Sequence, residues 1–96
     1  MKAFELLDDP SKLIKDAYAK DARGYHCNIN ENSATCWCVI GAISKCYTDR
    51  KEYIDAIYKL EKYINADYAC QTVSIIGWNY DNDYTTVVNT LKKLDI

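Results

Sequence analysis

One segment of this chain has too little polarity to lie at a surface. Residues 34–46 read Ala-Thr-Cys-Trp-Cys-Val-Ile-Gly-Ala-Ile-Ser-Lys-Cys, and from Cys36 to Ile43 no side chain is charged or strongly polar. A stretch that is apolar all round must be covered on every side. It is long for a strand, and Gly41-Ala42 disfavours a strand core. At helical spacing Ala34, Trp37, Cys38, Gly41, Ala42 and Lys45 fall on one side, and Cys36, Val39, Ile40, Ile43 and Tyr47 on the other. Upstream, Asn30 and Asn32 are suitable N-caps, so the pattern predicts a central buried helix from about residue 31 to 47. Gly41 costs such a helix roughly 1 kcal/mol relative to Ala, which points to a packing reason: a backbone or an aromatic ring approaching closely at Gly41-Ala42.

The 96 residues fit a single domain spanning the chain, with one modest core. A net charge of −2 without a basic stripe argues against nucleic-acid binding through phosphate neutralisation. Cysteines at 27, 36, 38, 46 and 70 are odd in number and form no CxxC. With no apolar signal segment at the start and no run of membrane-spanning length, the expectation is free thiols packed as small hydrophobes in a reducing cytoplasm.

The rest of the chain reads mainly as helix. Asp9 followed by Pro10 starts a helix over about 10–20, with Leu13, Ile14, Ala17 and Tyr18 on one face; a short earlier helix fits residues 2–8. Gly24 marks a turn, and residues 25–29 alternate as a short extended segment or loop. Asp49 with Glu52 resembles a capping box opening a helix whose inner stripe is Tyr53, Ile57, Leu60 and Ile64, with Ile54 beside it. Tyrosines at 53, 58, 63 and 68 step by five residues and so do not share a helix face. Residues 72–76 fit either a strand pairing with 25–29 or the start of a helix at Ser74. Residues 79–83 read as a polar loop, and Asp83 caps a last helix with Val87, Val88, Leu91 and Leu94 inward. The expected fold is mainly α: a compact bundle of about four helices around the central one, with at most a small two-stranded β element.

Several chemistries are weakly represented. Cys36 and Cys38 would point about 200° apart on a helix, and His26 and Cys27 diverge in an extended segment, so no metal site is expected. A Cys38–His26 dyad, oriented by Asn79 or Asp21, would need both groups in hydrogen-bond reach, whereas a buried Cys38 is a poor thiolate. Arg23-Gly24 offers at best a weak anion contact, and no Gly-rich phosphate loop exists. Trp37, Trp78 and Asn79 read first as core, one ring covering Gly41-Ala42 and the amide tying down a buried carbonyl or helix end. Their functional alternative is a pocket of Trp37, Cys38, Trp78 and Asn79 that holds a small molecule or nucleotide between the indoles.

Four separated pieces carry a resemblance: Ala22-Arg23-Gly24, Trp37-Cys38-Val39-Ile40-Gly41-Ala42, Trp78-Asn79 and Thr86-Val87-Val88. Over roughly residues 10–94 the chain resembles a small helical family of unknown function found in phages and actinobacteria. That family carries a Trp-Cys-Leu-x-Gly-Ala helix and a later Trp-Asn-Asp. Val39 replaces the family's Leu, and the later motif reads Trp78-Asn79-Tyr80-Asp81, its acid displaced by one. The family has no established activity to carry over, and neither a catalytic role nor a cofactor is expected. The resemblance implies a phage or mobile-element binding protein that occludes a host protein, an anti-defence inhibitor of the anti-CRISPR kind. Tyr58, Tyr80, Asp81, Asp83 and Tyr84 are the candidate contact residues. The expected partner is a host protein, with no nucleic acid and no membrane; a homodimer through the tyrosines is compatible with the sequence.

Overall fold

A computed structural model describes residues 1–66 and 73–96. The chain forms helix α1 (Ala3–Leu6), a 3-10 turn (Pro10–Lys12), strands β1 (Ala19–Asp21) and β2 (Ala34–Trp37), and helices α2 (Val39–Cys46), α3 (Arg50–Ile64), α4 (Ile75–Asp81) and α5 (Tyr84–Lys93). The fold is mainly α with one small antiparallel sheet.

The central apolar segment is a strand and a helix in series. Its first part, Ala34–Trp37, pairs with β1 in the register Ala19↔Trp37 and Lys20↔Cys36. The helix predicted over 31–47 therefore begins eight residues late, at Val39, and neither Asn30 nor Asn32 caps it. Thr35, Cys36 and Trp37 suit a pleated, half-buried surface, and the strand satisfies its backbone through β1. Cys38 turns the chain: its extended backbone ends β2 and its sulfur accepts the Gly41 N–H at 3.3 Å as the α2 cap. The burial expected of the segment holds in part: Trp37, Cys38, Val39, Gly41, Ala42 and Ile43 are buried, while Cys36 and Ile40 are only half-buried.

The helix predicted over 10–20 reduces to one 3-10 turn. Asp9 caps it, accepting the Ser11 N–H at 2.9 Å, and Pro10 holds the first position. Beyond Lys12 the backbone is taken by the sheet. Ile14 N–H donates to Trp37 O at 3.0 Å and Cys38 N–H donates to Tyr18 O at 3.3 Å, so residues 15–17 bulge outward between those contacts. Leu13, Ile14, Ala17 and Tyr18 thus share no helical face. The sheet joins β1 to β2, not residues 25–29 to 72–76. His26 makes only an isolated bridge to Lys20, residues 75 and 76 are helical, and residue 72 lies outside the described residues.

The carboxyl-terminal half follows its caps. Asp49, Ser74 and Asp83 each accept an N–H three residues on, starting α3, α4 and α5. Of the two readings left open for residues 72–76, the helix starting at Ser74 is the one found, and α4 runs through Tyr80 and Asp81, which read as loop. Its last turn is closed by side chains: Asn82 Nδ2 donates to Trp78 O at 2.8 Å, and Lys15 Nζ donates to Tyr80 O at 2.7 Å. A cation at a helix C-terminus also suits the peptide dipoles. Leu60, Ile64, Val87, Val88 and Leu91 are buried as their spacing predicts, whereas Ile54 faces solvent. Tyr68 and Cys70 lie outside the described residues.

The packing reason behind Gly41 is a backbone. A Cβ there would collide with the carbonyl of Tyr18, the group that accepts from Cys38 N–H. The residue that weakens the helix lets the 14–18 segment lie on it. Gly24, at φ +84°, is different: it has open space but a left-handed turn conformation. Gly41→Ala should destabilise by about 1–3 kcal/mol through overpacking, against its better helix propensity. Gly24→Ala should cost about 1 kcal/mol through conformation alone. Urea denaturation of both variants checks the order.

Candidate functional site

The buried polar group that organises the middle of the molecule is Asn79. It lies on α4, is 3% exposed, and its carboxamide makes two contacts. Oδ1 accepts the Val39 N–H at 2.7 Å, satisfying the first turn of α2, and Nδ2 donates to Ile14 O at 3.2 Å. Both roles expected of the amide, a helix end and a buried carbonyl, are filled at once. The first amides of α2 are thus divided between Asn79 and the Cys38 sulfur, as the open end of a helix requires.

Above this joint lies a cleft of ≈180 Å³. One wall is the bulged 15–18 segment, the other is Ile75 and Ile76 of α4, and the floor is Cys38, Ile40 and Asn79. The carboxamide and the thiol are its innermost polar groups. Burial pushes the Cys38 thiol above its ordinary range, only partly offset by the Gly41 and Ile40 amides aimed at the sulfur. That is the setting of a packed, unreactive thiol.

The proposed pocket residues do not converge. Cys38 and Asn79 share this cleft, but Trp78 lines a different one with Tyr63, Ile64 and Val73. Trp37 packs in the core, its indole N–H donating to Ile29 O at 3.4 Å. A Cβ at Gly41 would meet the Tyr18 carbonyl first, with Trp37 Cβ beside it.

The Cys38–His26 pair is not assembled either. His26 bridges Lys20 on one edge of β1 and Cys36 pairs with Lys20 on the other, so a strand lies between them. Two interstrand spacings put those backbones roughly 10 Å apart. Asp21, named as an orienting group, accepts the Arg23 and Tyr25 amides of the Gly24 turn, and Arg23 pairs with Asp21 at 3.5 Å. Cys27, Cys36, Cys38 and Cys46 are free thiols, and no group of three or more potential metal ligands occurs among the described residues.

The five candidate contact residues fall into two kinds. Tyr84 and Asp83 brace the fold: the Tyr84 hydroxyl donates to Leu7 O at 2.6 Å, and Asp83 accepts the Thr86 N–H at 2.8 Å. Tyr58, Tyr80 and Asp81 are exposed, and their side chains make no hydrogen bond among the described residues. The tyrosine rings are nonetheless held. Lys62 Nζ lies 5.8 Å from the Tyr58 centroid and Lys15 Nζ 5.8 Å from that of Tyr80. Tyr25 and Tyr63 are paired likewise with Arg23 and Lys93, each at 5.2 Å. Tyr58–Lys62 and Arg23–Tyr25 are close in sequence, whereas Lys15 and Lys93 come from distant elements that local spacing could not connect to Tyr80 and Tyr63.

The architecture so defined is a small, mainly α fold with a two-stranded antiparallel sheet whose Ala19 and Trp37 belong to the core. Residues 1–94 match the family of unknown function DUF6197, and the chain belongs to that family. No curated protein and no solved structure matches the chain.

Two measurements probe the site's construction. Asn79→Ala leaves the Val39 N–H and Ile14 carbonyl without their partner, and the expected loss is about 2 kcal/mol in urea unfolding. The Thr86 amide holds the Asp83 carboxyl below its ordinary range, so the folded state binds that proton more weakly than the unfolded one. The resulting stability is present above the unfolded value and is lost as pH falls through the lower, folded one. Thermal unfolding followed from pH 6 to about 2 should show that decline, shallower in Asp83→Asn.

Proposed function

We propose that this protein is a non-catalytic binding protein that acts by covering a surface of another protein. The observation that supports the reading is the state of Tyr58 and Tyr80. They are 63% and 64% exposed, yet each ring is steadied by a lysine on its own side of the molecule. An aromatic ring that is exposed but already ordered loses little rotamer freedom on contact and supplies a large amphipathic area. A ring needed only for packing would not stand out in water with its hydroxyl unpaired. Asp81, next to Tyr80, adds a charge at the rim, where it serves orientation more than affinity.

The identity of the partner as a host protein, a component of a defence system, rests on the motif resemblance alone, as does a phage or mobile-element origin. The absence of a helix long and apolar enough to cross a membrane among the described residues agrees with a partner met in solution.

Affinity purification from host lysate should recover a stoichiometric partner, reconstituted afterwards from purified components. Tyr58→Ala and Tyr80→Ala should each weaken that complex about tenfold or more while leaving the unfolding midpoint nearly unchanged, as exposed aromatic anchors do. Recovery of no stoichiometric partner, or full affinity in the double variant, would overturn the reading.

A further inference from the structure

The Cys38–Ile40–Asn79 cleft has walls and a floor of different chemistry. Its sides are Tyr18, Ile75 and Ile76, and two of these leave large apolar area in water: Tyr18 is 53% exposed and Ile76 52%. Exposed apolar area at the lip of an indentation is area that an occupant can cover. Deeper in, the Asn79 carboxamide is almost wholly buried and only half used. An amide nitrogen carries two N–H donors. One meets Ile14 O, and the second has no partner among the described residues. A buried donor without a partner loses the hydrogen bond it would have made to water.

The mouth limits the charge of what enters. Lys15 and Asp16 both line it, and each is already engaged. The lysine donates to Tyr80 O, and the aspartate pairs with Lys20 at 2.7 Å. With one charge of each sign balanced at the rim, neither a carboxylate nor an ammonium finds a free counter-charge inside. Size sets the other limit. An apolar cavity of about 150 Å³ holds benzene, whereas nucleotide and drug-sized ligands occupy clefts of roughly 300–1,000 Å³. At ≈180 Å³ the cleft admits one ring or branched chain with a small substituent.

We propose that this cleft is a binding site for a neutral, compact, mainly apolar small molecule bearing one carbonyl oxygen, the hydrocarbon lying between Tyr18 and Ile76 and the oxygen accepting the second N–H of Asn79. The site is separate from the protein-covering role of Tyr58, and a failure of either leaves the other standing. It also differs from a pocket between the two indoles: Asn79 and Cys38 belong to it, Trp37 and Trp78 do not.

The probe is acetophenone, a neutral ring with one carbonyl, titrated into the full-length 15N-labelled protein. Ethylbenzene serves as the analogue without the oxygen and benzoate as the charged one. Acetophenone should give saturable shifts at Tyr18, Ile40, Ile76 and the Asn79 side-chain amide, with a dissociation constant of about millimolar, as its few atoms allow. Ethylbenzene should bind roughly fivefold more weakly, the worth of one hydrogen bond, and benzoate should leave these resonances unmoved. Ile76→Glu, at an exposed position, should abolish the acetophenone shifts with the fold intact; Ile40→Phe, which fills the cleft from its floor, should do the same. Shifts scattered over the surface, no saturation, or equal affinity for ethylbenzene would overturn the assignment.

Discussion

The structure depends on one carboxamide. Asn79 accepts from the first amide of α2 and donates to the carbonyl of Ile14, so a single side chain on α4 joins the central helix to the segment that leads into the sheet. Its burial is tolerated because both ends of the amide are used; the same group without those partners would be a liability of a few kcal/mol. Around this joint the remaining contacts fall into order. Tyr18 O takes the Cys38 N–H, Gly41 keeps clear of that carbonyl, and Lys15 reaches across to the end of α4. The cleft lies where the 15–18 segment, the head of α2 and α4 meet.

Capping chemistry made much of the helical half legible in the sequence. Asp49 and Asp83 were readable as helix starts, and Ser74 as one of two alternatives, because a short polar side chain three residues before an unsatisfied amide is a local signal. The buried positions of α3 and α5 followed from 3.6-residue spacing. The amino-terminal half was misread for a physical reason: an all-apolar stretch carries no period, so nothing in it distinguishes strand from helix. The decision between them lay in partners far along the chain. Ala19–Asp21 offered an edge to Cys36 and Trp37, and Asn79 offered a cap to Val39 forty residues away. Neither contact has a signature within a local window. The cap that replaced Asn30 or Asn32 was a cysteine, a residue whose sulfur is a weak acceptor and is rarely read as a helix start.

The candidate sites divided along similar lines. Asn79 and Cys38 do stand together at the head of α2, while Trp37 and Trp78 were drawn into the same expectation by sequence motif alone and point elsewhere. Of the two lysines against Tyr58 and Tyr80, Lys62 stands one helical turn beyond Tyr58 and was readable from spacing, whereas Lys15 comes from 65 residues before Tyr80 and was not. Tyr84 and Asp83 illustrate a common ambiguity: an aromatic or acidic residue near a helix start serves the chain's own backbone as readily as a partner. The DUF6197 match spans residues 1–94 without assigning them an activity.

One feature of the fold concerns its two extremities. Ala3 N–H donates to Ile96 O, Tyr47 reaches the same oxygen, and Lys2 pairs with Asp95 at 3.3 Å, while the Ile96 side chain is buried. Under tension applied between those ends, the strain falls on this latch before it reaches the interior. The contacts run in parallel register, Lys2 with Asp95 and Ala3 with Ile96, so the load is shared between them, and α1, only four residues long, gives way with them. The joint at Asn79 would stay closed until later.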